Sequence, residues 1–212
     1  MYINIVVLCC SRIINSVKIK VGDKMKINIG VSNRHVHLSE KDFNKVFNKD
    51  KKLEVVRSLT QPGEFASNLK VTLKTPNGII ENVRVLGPLR TYTQVEISRT
   101  DAYKLRLNPP IRESGDIQNS ETITIVGDNE VKIPSCCIIA TRHIHATFED
   151  IKKYNLDPNK KYCVRVFGEK GGVLDNVSVK VSDSYFFEMH IDTDDANAHL
   201  LENGSEAFVI NE

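Results

Sequence analysis

Two short phrases of the sequence carry closely spaced histidines: Arg34-His35-Val36-His37 and Arg142-His143-Ile144-His145. Side chains two residues apart along a β-strand point to the same face, so each phrase would present two imidazoles together. In a helix the same spacing would turn the two side chains about 200° apart. Each phrase follows a β-branched run, which favours a strand. A strand-borne pair of imidazoles is half of a metal site.

The two phrases belong to a wider internal repeat. The first phrase aligns on the second, and another block, residues 81–102, aligns without a gap on residues 175–196. The two alignments have different offsets, so the first half carries about 14 extra residues between its blocks. Repeats of this kind are the signature of a duplicated structural unit. We predict a duplicated β unit, with two small barrels or sheets related by a pseudo-twofold.

The repeat also nominates a third metal ligand in each half. His190 follows Val177 at the same spacing at which Glu96 follows the equivalent Val83. Three protein ligands with an open position are typical of a catalytic metal, and these donor types suit zinc, with cobalt, iron and manganese as alternatives. The predicted ligand sets are His35, His37 and Glu96 for one ion, and His143, His145 and His190 for the other.

A candidate anion-binding arginine lies between the halves. Arg90 follows the turn Gly87-Pro88 and precedes Glu96 by six residues. A guanidinium there could bind phosphate bidentately beside the metals, although an arginine on a surface loop is the simpler interpretation of this residue alone. The sequence has no Walker motif, no dinucleotide-binding glycine motif and no serine or cysteine nucleophile signature. These absences disfavour nucleotide hydrolysis and acyl-enzyme chemistry.

Composition and charge exclude several classes of protein. The chain has 212 residues, a net charge of +2 and 26% charged residues, which is typical of an ordinary soluble globular protein. It has no basic stripe, so we expect no nucleic-acid partner. The apolar run over residues 2–10 is too short to span a bilayer, and no membrane association is expected. Five cysteines without a secretion signal favour the reducing cytoplasm over a disulfide framework.

Residues 1–24 are interpreted as an N-terminal extension. Met25 immediately precedes a predicted strand and is an alternative start of the protein. Three interpretations of residues 1–24 stay open: an extension without a packed role, a targeting tail that docks on a partner, or an additional strand or helix.

The pattern after Met25 is mostly strand-like and predicts a mainly β fold with short helices. Ser39 and Thr147 each cap a predicted helix directly after a histidine phrase. A third helix is predicted over residues 194–201, with His199 on the surface without a partner. The predicted strands cover residues 69–73, 79–86, 93–98, 122–126, 162–167, 177–181, 186–191 and 207–210.

Several long motifs resemble those of a known family, the PduL-type phosphate propanoyltransferases. The resemblance runs from about Met25 to the C-terminus. It is carried by Ser32-Asn33-Arg34-His35-Val36-His37-Leu38-Ser39, Gln61-Pro62-Gly63-Glu64-Phe65-Ala66, Asn82-Val83-Arg84-Val85-Leu86-Gly87-Pro88, Thr93-Gln94-Val95-Glu96-Ile97-Ser98-Arg99-Thr100-Asp101-Ala102 and Arg142-His143-Ile144-His145.

The resemblance implies a fold and a set of site residues. The family has two β-barrels capped by short helices and two zinc ions where the barrels meet. Its barrels exchange their first strand, which implies one domain over residues 25–34 with 142–212 and another over residues 35–141. By the same resemblance the first zinc would bind the coenzyme A sulfur, and Arg90 would hold phosphate. Coenzyme A contacts would fall on Val31, Ser32, Asn33, Asn77, Arg84 and Asn197, where Asn77 occupies a turn that often carries lysine in the family.

The implied reaction moves a propanoyl or acetyl group between coenzyme A and inorganic phosphate, giving an acyl phosphate. Phosphate, oriented by Arg90 and the second zinc, would attack the thioester carbonyl directly, while the first zinc stabilises the departing thiolate. No covalent acyl-enzyme is needed. Two alternatives stay open: a dinuclear metal hydrolase such as an acyl-CoA thioesterase, and a non-enzymatic metal-binding shell or adaptor module.

The resemblance also bears on partners and location. The expected partners are acyl-CoA and inorganic phosphate, with a homo-oligomer as one expected state of assembly. The family connects to propanediol degradation in bacterial microcompartments, which residues 1–24 would reach as a shell or cargo contact. We expect a cytoplasmic enzyme, either free or inside such a microcompartment.

Overall fold

The computed structural model describes residues 25–210, which form fourteen strands and four short helices. The prediction for residues 1–24 lies outside this range. The strands are β1 (Met25–Ser32), β2 (His35–Ser39), β3 (Val55–Ser58), β4 (Phe65–Thr75), β5 (Gly78–Arg90), β6 (Gln94–Glu96), β7 (Ile111–Arg112), β8 (Glu121–Val126), β9 (Glu130–Ala140), β10 (His143–Ala146), β11 (Tyr162–Val166), β12 (Gly172–Val181), β13 (Glu188–Asp192) and β14 (Glu206–Ile210). The helices are α1 (Glu40–Val46), α2 (Arg99–Leu105), α3 (Phe148–Tyr154) and α4 (Thr193–His199).

The strands form two closed six-stranded barrels. In the first barrel the order is β4-β5-β2-β6-β9-β8, and β8 closes the ring by pairing with β4. In the second barrel the order is β1-β13-β10-β12-β11-β14, closed between β14 and β1. Each barrel encloses its own cluster of buried aliphatic side chains. The prediction of a mainly β fold with two similar small barrels and short helices is confirmed.

Each barrel contains one strand that is followed directly in the chain by a strand of the other barrel. Strand β1 runs into β2 of the first barrel, yet it pairs with β13 and β14 of the second. Strand β9 runs into β10 of the second barrel, yet it pairs with β6 and β8 of the first. This pairing supports the division into residues 25–34 with 142–212 and residues 35–141, which we keep as a proposal.

The registers of the two barrels reproduce the sequence repeat. His35 lies opposite Glu96 on one side and Arg84 on the other. His143 lies between His190 and Ser178 in the same way. Glu96 aligns with His190, and Arg84 with Ser178, in the second block of the repeat. The strands that carry the two histidine phrases, β2 and β10, therefore occupy equivalent positions in the two barrels.

The boundaries of several elements differ from the sequence predictions. The strand predicted over residues 93–98 ends at Glu96, because the Ser98 side chain accepts a hydrogen bond from the Asp101 N–H and begins helix α2, which was not predicted. Strands β4, β5 and β12 extend beyond their predicted limits. Ser39 and Thr147 cap their helices as predicted.

Contacts beyond the exchanged strands also join the barrels. The buried side chain of Gln61, within the extra residues of the first half, donates to the Phe186 carbonyl at 3.0 Å and accepts from the Phe186 N–H at 3.1 Å. The Thr100 N–H donates to Asp194 Oδ2 at 2.8 Å. Within residues 25–210 no helix is long and apolar enough to cross a membrane.

Candidate metal centres

The first predicted ligand set is brought together by neighbouring strands. His35 and His37 lie on β2, and Glu96 lies opposite His35 on β6. One ligand atom from each of the three residues lies within 4.8 Å of the others. Both histidines are buried, and His35 Nε2 lies 3.6 Å from Glu96 Oε2. We refer to this group as the first centre.

The second predicted set has the same arrangement, which we call the second centre. His143 and His145 lie on β10 and His190 lies on β13, with ligand atoms again within 4.8 Å of one another. The His143 and His145 rings are 4.7 Å apart between centroids, and the Tyr185 ring lies 4.3 Å from the His145 ring. The sequence prediction did not include Tyr185.

One histidine of each centre is oriented by the backbone just before it. His35 Nδ1 donates to the Asn33 carbonyl at 2.8 Å, and His143 Nδ1 donates to the Thr141 carbonyl at 2.7 Å. A carbonyl oxygen only accepts, so Nδ1 carries the hydrogen in both rings and Nε2 keeps its lone pair. Metal-binding histidines are typically oriented by such a contact.

The other phrase histidines carry buried nitrogens without a partner. Within the described residues, His37 Nδ1 and His145 Nδ1 are buried and make no hydrogen bond. An unpaired buried polar atom is costly, and a metal ion would remove that cost in each centre. The orphaned atoms and the donor types fit a divalent metal such as zinc in both centres.

The two centres differ in their electrostatics. Burial alone would lower the pKa of His35, but the Glu96 carboxylate and the Asn33 carbonyl outweigh it and raise that pKa. Burial alone would raise the pKa of Glu96, but His35 and His37 lower it well below its usual range. The pKa of His37 is lowered well below its usual range, first by burial and then by the charges of His35 and Arg90. The contacts of the first centre therefore favour an ionised Glu96 and raise the proton affinity of His35.

In the second centre the two histidines of the phrase, His143 and His145, favour the neutral form instead. Burial, with the nearby charge of Lys180, lowers the pKa of His143 to about 3. Burial, with the neighbouring histidines His143 and His190, lowers the pKa of His145 to about 2. Neutral imidazoles have the free lone pairs that metal binding requires.

A hydrogen-bond network links Arg90 to the first centre. Arg90 pairs with Glu64 Oε1 at 2.8 Å and donates to Ser114 Oγ at 3.3 Å. Gln94 Nε2 donates to the same Ser114 oxygen at 2.7 Å and to Glu96 Oε1 at 2.6 Å. Two side chains, Ser114 and Gln94, therefore connect Arg90 to the candidate ligand Glu96.

Lys180 is a second cation at the site that sequence reasoning missed. It is half-buried on β12, where its Cα lies opposite that of His145. Burial lowers its pKa, while the nearby carboxylates Glu96 and Glu113 act in the opposite direction. The repeat gave no signal for it, because Lys180 aligns with the apolar Leu86 of the first half.

A cleft between the barrels runs past both centres. Ser32, Asn33, His35 and Glu96 from one half line it, together with residues of the second half. That second group consists of Ala140, Thr141, His143, His190, Ile191 and Asp192. The cleft is thus lined by the two crossover segments that lead into the histidine phrases.

The predicted coenzyme A contacts are not all close to this cleft. Ser32 and Asn33 line the cleft, and the Cα of Arg84 lies opposite that of His35. Val31 packs against the second core, and its N–H donates to Asn203. Asn77 and Asn197 are exposed and do not line the cleft.

His199 differs from its prediction. Its Nδ1 donates to the Lys170 carbonyl at 2.8 Å, so it has a partner. This contact fixes the end of α4 near the turn before β12, which no sequence spacing indicated.

Sequence reasoning also missed the partners of the third ligands. Gln94 precedes Glu96 by two residues and Glu188 precedes His190 by two, and each contacts the ligand that follows it. Residues at this spacing share a strand face, and Gln94 aligns with Glu188 in the sequence repeat. The spacing on one strand face and the alignment in the repeat together could have identified Gln94 and Glu188 from the sequence.

The structure is that of a duplicated β-barrel protein with two histidine-rich centres, and comparisons with known proteins identify it as an acyltransferase. The profile of the phosphate propanoyltransferase family matches residues 28–202. A phosphate propanoyltransferase of Thermotoga maritima is 44% identical over 188 residues, covering 87% of this chain and 89% of that protein. One from Priestia megaterium is 46% identical over 186 residues, covering 86% and 85%. One from Clostridioides difficile is 39% identical over 201 residues, covering 94% and 96%.

The chain belongs to the phosphate propanoyltransferase family. The predictions of family and of an acyltransferase enzyme are therefore confirmed, and the non-enzymatic adaptor is not the function of this chain. The family also supports acyl transfer between coenzyme A and phosphate.

Proposed function

We propose that the protein transfers a propanoyl group between coenzyme A and inorganic phosphate at a pair of metal centres, with acetyl as a second acyl group. The observation that carries this proposal is the pairing of two buried three-residue ligand sets beside a cationic network in a member of this family. The acyl preference belongs to the proposal.

The metal-binding residues would be those of the two centres, with zinc as the proposed ion. When bound, a divalent metal supplies Lewis-acid stabilisation to a developing thiolate or a polarised oxygen. His35 and His143 would present Nε2, because their Nδ1 atoms donate to backbone carbonyls. His37 and His145 each bring a nitrogen that has no other partner in residues 25–210.

Arg90 and Lys180 would bind the phosphate. The Arg90 guanidinium is held by Glu64 and Ser114, so its orientation is set before substrate arrives. Arginine matches the geometry of a phosphate with two parallel hydrogen bonds, whereas lysine acts as a point charge. Both cations lie near the first centre, since the Arg90 charge lowers the pKa of His37 and the Lys180 charge lowers that of Glu96.

The chemical step would be a direct displacement. A phosphate oxygen forms a bond to the thioester carbonyl carbon, and the carbon–sulfur bond breaks with its electron pair going to sulfur. The products are acyl phosphate and the coenzyme A thiolate, which takes up a proton in solvent. Holding both substrates at one site lowers the entropic cost of their encounter. Ser32 and Asn33 in the cleft, with Val31, Asn77, Arg84 and Asn197 further along, would contact coenzyme A.

The nature of the product tests this function. Propanoyl-CoA and phosphate are incubated with the enzyme, and the product is trapped with hydroxylamine. We expect propanoyl phosphate, detected as the hydroxamate, in amounts equal to the thiol released. Free propanoate, formed at the same rate without phosphate, would instead identify the dinuclear hydrolase.

The role of residues 1–24 and the cellular location are a separate proposal. We propose that this segment contacts a partner, such as a microcompartment shell, and takes no part in catalysis. A protein that starts at Met25 should then keep kcat and both KM values and lose co-purification with shell proteins. A homo-oligomer is proposed on family grounds, and light scattering on both proteins measures it.

A further inference from the structure

Strand β13 carries a buried carboxylate directly against the third ligand of the second centre. Glu188 is 5% exposed, and its Oε2 lies 2.8 Å from His190 Nε2. The two residues are two positions apart and share one face of the strand. Because a carboxylate oxygen accepts, this contact holds the hydrogen on Nε2 and leaves Nδ1 with the free lone pair.

The first centre has an equivalent contact in which the donor and acceptor roles are exchanged, because here the ligand accepts the hydrogen bond. Gln94, which aligns with Glu188 in the sequence repeat, donates from Nε2 to Glu96 Oε1 at 2.6 Å. In the first centre a neutral amide supports a carboxylate ligand, and in the second a carboxylate supports an imidazole ligand. Each centre thus contains one carboxylate at these two repeated positions. In the first centre it is the ligand Glu96, and in the second it is Glu188, the partner of the ligand His190.

The exchanged strand leaves room for this pair. Gly30 on β1 lies opposite His190 in the register. A Cβ on Gly30 would lie 2.9 Å from Glu188 Oε2 and 2.9 Å from His190 Cδ2. Distances this short require a shift of both side chains. The glycine backbone therefore bounds the space in which Glu188 and His190 meet.

We infer that Glu188 is a positioning residue of the second centre, which fixes the tautomer and orientation of His190 and supplies the negative charge that Glu96 supplies in the first centre. This inference rests on the proposed metal function. Glu188 is not among the residues whose ligand atoms lie mutually close in the described chain, so it acts through His190. Carboxylates that accept from a ligating histidine typically strengthen metal binding.

Metal affinity of each centre tests the inference without an activity assay. Metal-free wild-type enzyme, Glu188→Ala, Glu188→Gln and Gln94→Ala are titrated with zinc in competition with a coloured chelator. His190→Ala identifies the zinc equivalent that belongs to the second centre. We expect Glu188→Ala to weaken that equivalent by about 10- to 100-fold and to leave the other unchanged.

The matched variants separate a positioning role from a general loss of structure. Glu188→Gln retains an acceptor oxygen and should recover part of the lost affinity, whereas Gln94→Ala should weaken only the other equivalent. Gly30→Ala should weaken the same equivalent as Glu188→Ala. Unchanged zinc affinity in Glu188→Ala, or equal weakening of both equivalents, would overturn the inference while two wild-type equivalents still support the metal centres. A wild-type enzyme that binds no zinc would overturn both.

Discussion

Arg90 is the residue on which phosphate recognition is proposed to depend. Replacement by alanine removes a charged group that would hold the phosphate, and hydrogen bonds to charged groups contribute about 1.5–3 kcal/mol. We predict that Arg90→Ala raises KM for phosphate by roughly 10- to 100-fold and changes KM for propanoyl-CoA little. Steady-state kinetics with each substrate varied measures this.

A surface arginine provides the control. Arg112 pairs with Asp116 on the outside of the first barrel, so Arg112→Ala should leave both KM values unchanged. An unaltered phosphate dependence in Arg90→Ala would show that Arg90 has another role.

The buried histidines of the second centre predict an acid-sensitive metal-free protein. The folded-state pKa values of His143 and His145 are lowered to about 3 and about 2, below the ordinary value of 6.5. At pH values between the folded-state pKa and 6.5, the unfolded chain binds more protons than the folded one. The free energy of unfolding therefore falls as pH falls below 6.5. Each histidine contributes up to about 1.4 kcal/mol per pH unit in this range.

Urea unfolding of the metal-free protein between pH 7 and pH 4 measures that slope. His143→Gln should remove part of it, because glutamine does not titrate. A slope equal in the variant and the wild type would contradict the burial of a neutral His143. The raised pKa of His35 acts in the opposite direction, since the stability it contributes is lost as pH rises through its folded-state value.

At the scale of elements, the exchanged strands are proposed to define the domains. Ile29 on β1 is fully buried in the second core although β1 continues into the first barrel. Removing such a side chain costs about 2–5 kcal/mol. We predict that Ile29→Ala lowers the free energy of unfolding by this amount and reduces amide protection first in β13 and β14.

Cys137 on β9 provides the matched position in the other half. It aligns with Ile29 when the two histidine phrases are superposed, and it is buried in the first core. Cys137→Ala should therefore reduce protection in β6 and β8, with a smaller loss of stability because fewer atoms are removed. Loss of protection in β2 rather than β13 after Ile29→Ala would contradict the proposed domains. Hydrogen exchange distinguishes these outcomes.

The pattern of residues predicted most of the strands and helices, but it did not predict the exchange of β1 and β9 between the barrels. Alternation and polar caps predicted most strands and the helices that follow Ser39 and Thr147. Helix α2 was missed because its cap, Ser98, continues a strand-like run. The repeat does not predict the exchange. Strands β1 and β9 stand in equivalent places before the two histidine phrases, so the sequence alignment is the same whether each strand joins its own barrel or the other one. Glu188 and Gln94 were missed because a residue two positions before a ligand on the same strand was not considered as that ligand's hydrogen-bond partner.

At the scale of the molecule, neither barrel is complete without the other half of the chain. Unfolding of one barrel would remove a strand from the other, and Gln61 adds two hydrogen bonds between them. We predict one cooperative transition in calorimetry for the metal-free protein. Gln61→Ala should lower its midpoint, because the two hydrogen bonds between the buried Gln61 side chain and the Phe186 backbone are lost, each worth about 0.5–1.5 kcal/mol. Two separate transitions in the wild type would contradict this coupling.

Two metal centres are proposed to support acyl transfer to phosphate. Coenzyme A release from propanoyl-CoA, followed with and without phosphate on samples of measured metal content, tests this proposal. We predict about two metal ions per chain and phosphate-dependent release, both lost after chelation and both restored by zinc. Undiminished phosphate-dependent release from protein stripped of metal would contradict the account.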